Sequence, residues 1–480
     1  MFEEKGVRFV GIYANGMQIA ILAELRLLNY AIDEHYHKHR AIIFKSRALK
    51  GDNKVLPLCF LHIFQLVGDP AVKGCHYEPV IGVIKPEDNP IKKRSNNFRK
   101  KQRLKDERAI AEATRVLENH IEQFCDEYFR FLDRPWRITC ERQGDHAFSG
   151  EDVCKLFGSL AHNKFAEARD AGIEISNVSL KHSEVEVFIF VSNVMGTQTK
   201  PPIEENNVLK DISDSGEKSE ESDVWFFGIT KTLQYNEILK EKNNILQDNC
   251  KANEKIYTSI NKVPEHLKNL PSSTDESIAA CLSVLTVTKY FSDLNNISFL
   301  DPMCGIGTIP MVFQRVCKNI GKTAFVVGTE LKYDSLKIAN QKCQEGPIHR
   351  SVGQNEDLDQ NKYCGPPNII LANTLTLPFR QNLFDLVIVD PPWGHRHGKN
   401  HEIMKNMFRW MMEWVRVLKF NGILGIVTIR TKQVLHEYKS HFCEGRGLEL
   451  IETLPFDNSG MSQCCYFVFR KTENTQAAKN

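Results

Sequence analysis

Ile297-Ser298-Phe299-Leu300-Asp301-Pro302-Met303-Cys304-Gly305-Ile306-Gly307-Thr308-Ile309-Pro310 reads as a strand, a turn and the start of a helix. An apolar run of strand length ends in Asp301, and a Gly-x-Gly turn at Gly305 and Gly307 follows. Met311, Val312, Val316 and Ile320 then recur at helical spacing. Glycines at these two places let the backbone come close to a ligand at the carboxyl end of a strand. The following helix aims its first amide donors at that ligand. So short a pattern fits many ordinary turns, and its weight depends on its neighbours.

Two further strands add that weight. Phe325-Val326-Val327-Gly328-Thr329-Glu330 is a strand ending in a carboxylate, placed where it can hold both hydroxyls of a ribose. Phe384-Asp385-Leu386-Val387-Ile388-Val389 is a buried strand that runs into Asp390-Pro391-Pro392-Trp393-Gly394. The third glycine of the dinucleotide fingerprint is missing, which argues against NAD. Together these stretches read as a class I S-adenosylmethionine site with a target-amine motif. Asp301, Met303, Gly305, Gly307, Thr308 and Glu330 are the candidate cofactor residues, and Asp390, Pro391, Pro392 and Trp393 the candidate catalytic ones. Transfer from a sulfonium needs in-line approach of a nitrogen lone pair more than it needs a strong base. Asp390 can accept one hydrogen of an amine, and the Pro391 carbonyl another. The two prolines fix φ and remove two donors, leaving carbonyls presented to a base. Trp393 offers a stacking face for a base taken out of its helix. The plainer reading is a Pro-Pro turn beside a core tryptophan. Cys304 reads as a packing residue rather than a nucleophile. His395, Arg396 and His397 either touch flanking phosphates or sit in a solvated loop.

The chain has 480 residues, 42% of them hydrophobic, enough for two to four domains with their own cores. A net charge of +2 says little globally, so any nucleic-acid surface must come from local clustering. The 14 cysteines contain no C-x-x-C pair, which argues against a zinc ribbon or a disulfide framework and for no metal. Reduced thiols fit the cytoplasm or the nucleus. No apolar run reaches transmembrane length and the start is not secretory, so no membrane partner is expected.

Residues 1–133 read as a small α/β unit. Val7 to Tyr13 is a weak strand; Ile19, Leu22, Leu25 and Leu28 give Met17–Leu28 helical spacing; Ala41–Phe44 and Leu56–Val67 are further strands. His35, His37 and His39 alternate and on a strand would share one face, which reads as a solvated face rather than a metal site, since a metal usually needs more ligands. Lys92-Lys93-Arg94 and Arg99-Lys100-Lys101-Gln102-Arg103 form the densest basic cluster, either a solvated loop before a helix at about 106–132 or a phosphate-binding or import segment. Residues 134–235 form a second unit, with strands at Trp136–Arg142, Glu184–Val191 and Val224–Ile229 and a helix capped by Ser149. That helix takes its apolar face from Val153, Leu156, Leu160 and Phe165. The polar stretch at about 195–223 is too long for a hairpin loop and reads as a disordered insertion. A polar linker spans 236–265. Residues 266–475 then hold a helix from Thr274 to Phe291, a strand at Asn368–Asn373, a helix at Met404–Val417 and closing strands, a doubly wound sheet of seven strands.

Trp136-Arg137-Ile138-Thr139-Cys140-Glu141-Arg142, followed by Gly144, His146 and Phe148, and then Val178 to Val187, resembles a THUMP domain. With Asp301 to Thr308 and Asp390 to Gly394, the chain resembles the eukaryotic THUMP-domain guanosine N2-methyltransferases over roughly 134–472, and more weakly over 1–133. The resemblance implies a C-terminal Rossmann-like methyltransferase sheet preceded by a THUMP domain and a ferredoxin-like N-terminal domain. It implies S-adenosyl-L-methionine as cofactor and a structured RNA, tRNA first, as substrate. RNA contacts then fall to Arg99, Lys100, Lys101, Arg103, Arg137 and Arg142. Asn373 and Thr374 join the cofactor residues, with Asn373 standing where the family carries an aspartate for the adenine amino group. Asp275 stands where the family carries an arginine in the opening turn of its helix. A small zinc-binding methyltransferase-activator subunit is the implied partner. Met407, Trp410, Met411 and Trp414 exceed one buried stripe and leave room for part of that helix to be exposed.

Other readings remain open on sequence. Asp-Pro-Pro-Trp also marks adenine-N6 RNA methyltransferases, although there it precedes the cofactor glycines and here it lies 89 residues after Asp301. A small nuclear RNA is an alternative guanosine substrate. An adenine-N6 or cytosine-N4 DNA enzyme, and a non-catalytic RNA-binding protein with a decayed fold, are the others; Asp275 and Asn373 motivate the last.

Overall fold

The computed structural model describes residues 8–37, 39–46, 57–66, 71–73, 96–129, 131–144, 146, 148–179, 183, 185–192, 223–231, 274–345, 365–392, 400–429, 431–443, 446–457 and 464–474. In chain order the first elements are β1 (Arg8–Ile12), α1 (Gln18–Leu27), β2 (Tyr30–Tyr36), β3 (Ala41–Ser46), β4 (His62–Leu66), β5 (Ala71–Lys73) and α2 (Asn96–Phe129). Next come β6 (Trp136–Gln143), α3 (Gly150–Asp170), β7 (Val185–Ser192), β8 (Asp223–Lys231), α4 (Glu276–Tyr290), β9 (Asn296–Asp301), α5 (Thr308–Asn319), β10 (Thr323–Glu330) and α6 (Tyr333–Glu345). The chain continues through β11 (Asn368–Leu371), β12 (Phe384–Val389), α7 (Asn400–Val417), β13 (Leu418–Thr428), α8 (Thr431–Glu437), β14 (Arg446–Phe456) and β15 (Cys464–Asn474). Residues 195–222 of the insertion expected at about 195–223 and the linker (236–265), with Lys92-Lys93-Arg94, Trp393 and His395-Arg396-His397, lie outside the described residues, while Asp223 opens β8.

The chain divides into two compact units. One comprises Met1–Ile12, Ile32–Ser46 and His62–Lys255, and the other Tyr13–Ala31, Arg47–Leu61 and Ile256–Asn480. In the first, strands from both sides of residue 133 share one sheet, ordered β2-β3-β1-β4-β8-β7-β6, with β5 also paired to β8. β1 pairs antiparallel with β3 and β4, and β8 antiparallel with β4, β5 and β7, while β6 and β7 run parallel. Alternation along β7 sends Val187 and Ile189 to one face and Phe188 and Phe190 to the other. The first face packs under α2 and α3 through Leu117, Tyr128, Phe157 and Phe165; the second joins Val10, Ile43 and Phe226. α3 starts as its sequence demands. The Ser149 hydroxyl accepts from the Asp152 amide at 3.1 Å, and Asp152 accepts from the Ser149 amide at 2.8 Å. α2 begins earlier than expected, so Arg99, Lys100, Lys101 and Arg103 lie within a helix rather than in a loop before it.

In the second unit the described sheet runs β11-β10-β9-β12-β13-β15-β14. β9 to β13 are parallel, and β15 inserts antiparallel between β13 and β14. The chain steps outward from β9 to β11 and then returns to the other side of β9 with β12. This reversal opens a crevice at the carboxyl ends of β9 and β12, where α/β sheets bind ligands. α1 belongs to this unit and packs on α4. Its apolar stripe differs from the expected one. Ile19 is exposed, while Met17, Ile21, Leu22 and Leu25 are buried, together with Glu24. The Glu24 carboxylate accepts the amides of Leu58 and Cys59 at 2.7 and 2.9 Å, which is why an acid can sit in that stripe. The expectation for α7 is corrected as well: Met407, Trp410, Met411 and Trp414 are all buried, packed with Val387, Val389, Leu424 and Ile426. β15 extends to Asn474, with Lys471 inside it. Lys471 is buried because its ammonium donates to Asn382 and to the carbonyls of Val415 and Leu418, each at 2.7 Å.

Candidate active site

The sheet reversal gathers three carboxylates at strand ends: Asp301 on β9, Glu330 on β10 and Asp390 just past β12. Asp301 is 1% exposed, and its Oδ1 accepts the Met303 amide at 3.1 Å. Burial pushes its carboxyl well above the usual range; Asp390 and Glu330 add to that, and the Met303 amide opposes it.

The turn that follows is stitched to β10. The Cys304 amide donates to the Thr329 carbonyl at 2.9 Å, and the Thr329 hydroxyl to the Pro302 carbonyl at 2.8 Å. Gly305 and Gly307 take φ of 55° and 81°, the left-handed region that glycine enters without strain. Cys304 is buried with Leu336, Ala339, Cys343 and Ile369, as a packing residue. Thr308, also buried, opens α5. Glu330 accepts the Gly305 amide at 3.0 Å with one oxygen and the Lys332 amide at 2.7 Å with the other.

The loop after β11 is equally fixed. Asn373 Oδ1 accepts the Leu375 amide at 3.0 Å, and the buried Thr374 hydroxyl accepts from the Trp414 indole at 2.8 Å. Glu413 takes the Leu377 amide at 2.7 Å, while Arg416 donates to the carbonyls of Phe379 and Leu377 and pairs with Glu413.

On the acceptor side, Asp390 Oδ2 receives the Thr274 hydroxyl at 2.6 Å. Pro391 is buried and Pro392 exposed. Asp275 is the N-cap of α4, its Oδ1 accepting the Ser277 amide at 2.8 Å. Thr274 escaped the sequence reading because nothing in the chain ties it to a residue 116 positions later. Leu331 and Leu371, apolar yet exposed beside the ends of β10 and β11, also escaped it.

The candidate RNA residues lie in the other unit. Arg137 pairs with Glu186 at 2.9 Å, and Arg142 donates to the Phe148 carbonyl. Among the described residues no cluster of His, Cys, Asp or Glu is arranged to hold a metal, and no helix is long and apolar enough to cross a membrane.

Residues 267–447 match the family model of the RMKL-like methyltransferase domain. No match among curated proteins was found. Solved structures align over nearly the whole chain. TrmN from Thermus thermophilus matches at 14% identity, covering 97% of this chain and 99% of its own, with a TM-score of 0.53. SMU.472, crystallised with SAH, matches at 10% identity, covering 98% of this chain and 99% of its own, with a TM-score of 0.50. A predicted N6-adenine-specific DNA methylase from Listeria monocytogenes matches at 12% identity over 96% of each chain, with a TM-score of 0.50. These likenesses establish the fold. The C-terminal part of the chain is a Rossmann-like class I methyltransferase domain, and its cofactor is S-adenosylmethionine.

The residues fit that cofactor. A Cβ built on Gly305 would meet no atom within 4 Å, so the turn faces open space. Glu330, with about four lone-pair sites, can accept hydroxyls beyond its two amides.

Proposed function

We propose that the protein methylates the N2 amine of a guanosine in a structured RNA, tRNA first. The observation that carries this is the placement of Asp390 and Pro391 at the sheet reversal, beside Asp301 and Glu330. The bound cofactor supplies an electrophilic methyl on a positively charged sulfur. Around it the chain provides the acids Asp301, Glu330 and Asp390, which suit that charge. Asp301 and the Gly305–Gly307 turn hold the cofactor near α5, Glu330 takes its ribose, and Leu331, Leu371 and Asn373 border its base. The guanine N2 lone pair is delocalised into the ring, so the site's task is orientation. Asp390 accepts one N2 hydrogen and the Pro391 carbonyl the other, turning the lone pair toward the methyl group.

The first unit is the RNA-holding part, with a THUMP-like segment at 134–235 whose sheet continues into strands from before residue 133 rather than a separate ferredoxin-like domain. The parallel pairing of β6 with β7 around α3 supports a compact α/β module there. An activator subunit rests on the family resemblance, since α7 offers no exposed apolar stripe of the four residues named for it. Adenine-N6 methylation is the second reading, favoured by the Listeria relative and by the same amine-presenting motif. Mass spectrometry of nucleosides from cells lacking the protein separates the two: loss of N2-methylguanosine supports the proposal, and loss of N6-methyladenosine with N2-methylguanosine unchanged overturns it.

A further inference from the structure

We propose that Thr274 is a positioning residue for methyl transfer, its hydroxyl fixing the Asp390 carboxylate in the orientation that receives the target amine. The inference rests on the reading of Asp390 given above. The bond is 2.6 Å long, short and charge-assisted.

Both ends of the bond are anchored. Thr274 is followed by Asp275, whose Oδ1 accepts the amide of Ser277 at 2.8 Å and its hydroxyl at 2.6 Å. The helix so capped is buried continuously from Ser277 to Val284. Asp390 follows β12, whose Leu386 and Val387 pair with Phe299 and Leu300 of β9. It precedes Pro391, a residue with its φ locked. With the backbone fixed on both sides, the freedom left to Asp390 lies in its side-chain torsions, and the hydroxyl selects among them.

The type of donor also matters. A hydrogen bond to the carboxylate favours its ionised, accepting form. A lysine or arginine would do the same but would bring a competing positive charge next to a sulfonium. A hydroxyl stabilises the carboxylate without that charge and occupies only one of about four lone-pair sites.

The test uses the full chain, S-adenosylmethionine labelled in its methyl group, and total small RNA from cells lacking the protein. Thr274→Val removes the hydroxyl at nearly constant shape, and should lower kcat about tenfold or more while the Kd for cofactor stays within about twofold. Thr274→Ser should recover most of the loss. In an Asp390→Asn background, Thr274→Val should cost nothing further, because the bond's purpose is already gone. Wild-type kcat in Thr274→Val, alongside an inactive Asp390→Ala, overturns this inference alone. Failure of serine to rescue, or a further loss in the double variant, assigns Thr274 to helix stability and overturns it too. Wild-type turnover in Asp390→Ala instead overturns the reading of Asp390 beneath it.

Discussion

Asp301 is a carboxyl with almost no access to water, and the hydrogen bond from the Met303 amide opposes the effect of its burial. Its pKa in the folded chain lies above the unfolded value, so folding takes up a proton between the two. The stability it contributes is complete below the unfolded value and is lost as pH rises through the folded one. Asp301→Asn keeps an oxygen for the Met303 amide and removes the ionisation. Without cofactor, its Tm should therefore gain on the wild type as pH rises; a difference that is flat with pH would refute the assignment. Asp390→Ala should lower turnover about 100-fold or more and leave cofactor affinity nearly intact. Glu330→Ala should raise the Kd for S-adenosylmethionine by about tenfold or more with RNA affinity unchanged; calorimetry that finds equal cofactor affinity removes Glu330 from the site. At this scale the sequence was readable wherever a residue closes a strand, because Asp301, Glu330 and Asp390 announce themselves by position. Thr274 was not, since its role depends on which helix end the fold lays beside β12.

Elements show a similar division. Apolar periodicity located α3, α4 and the strands of the second sheet to within a few residues, because those segments bury one face or both. It misjudged α1, where Glu24 replaces an apolar residue in the stripe, and α7, whose width of apolar surface reflects deep burial between β13 and α8 rather than an open face. Close packing between elements was invisible to it. Gly328 on β10 is an example: a Cβ there would stand 2.9 Å from Cys304 Sγ and 2.8 Å from Ile369 Cδ1. Gly328→Ala must push the cofactor turn, and should destabilise the unit by about 1–3 kcal/mol and weaken S-adenosylmethionine binding. Denaturant midpoints and calorimetry both unchanged would show that the turn yields freely. Gly425 is a second such place, its missing side chain filled by the Tyr466 ring, whose hydroxyl meets Thr286 at 2.8 Å.

For the whole molecule, the proposed division of labour makes RNA affinity a property of the first unit. Neutralising Arg99, Lys100, Lys101 and Arg103 together should weaken binding and flatten its dependence on salt; an unchanged slope of affinity against salt would exclude the cluster. A fragment starting at residue 267 is a poor vehicle for such tests, because it lacks α1 and the Leu58–Cys59 segment that Glu24 holds. The sequence marked α1 as a helix but carried no sign of which body it joins. That placement has a consequence for biosynthesis. α1 leaves the ribosome early, and α4, the helix it packs on, is made roughly 250 residues later, a delay of some tens of seconds at about 5–20 residues per second. Until α4 is translated, α1 lacks the helix it packs on, so Met17, Ile21 and Leu25 should be more accessible on the nascent chain than in the folded protein, where they are buried.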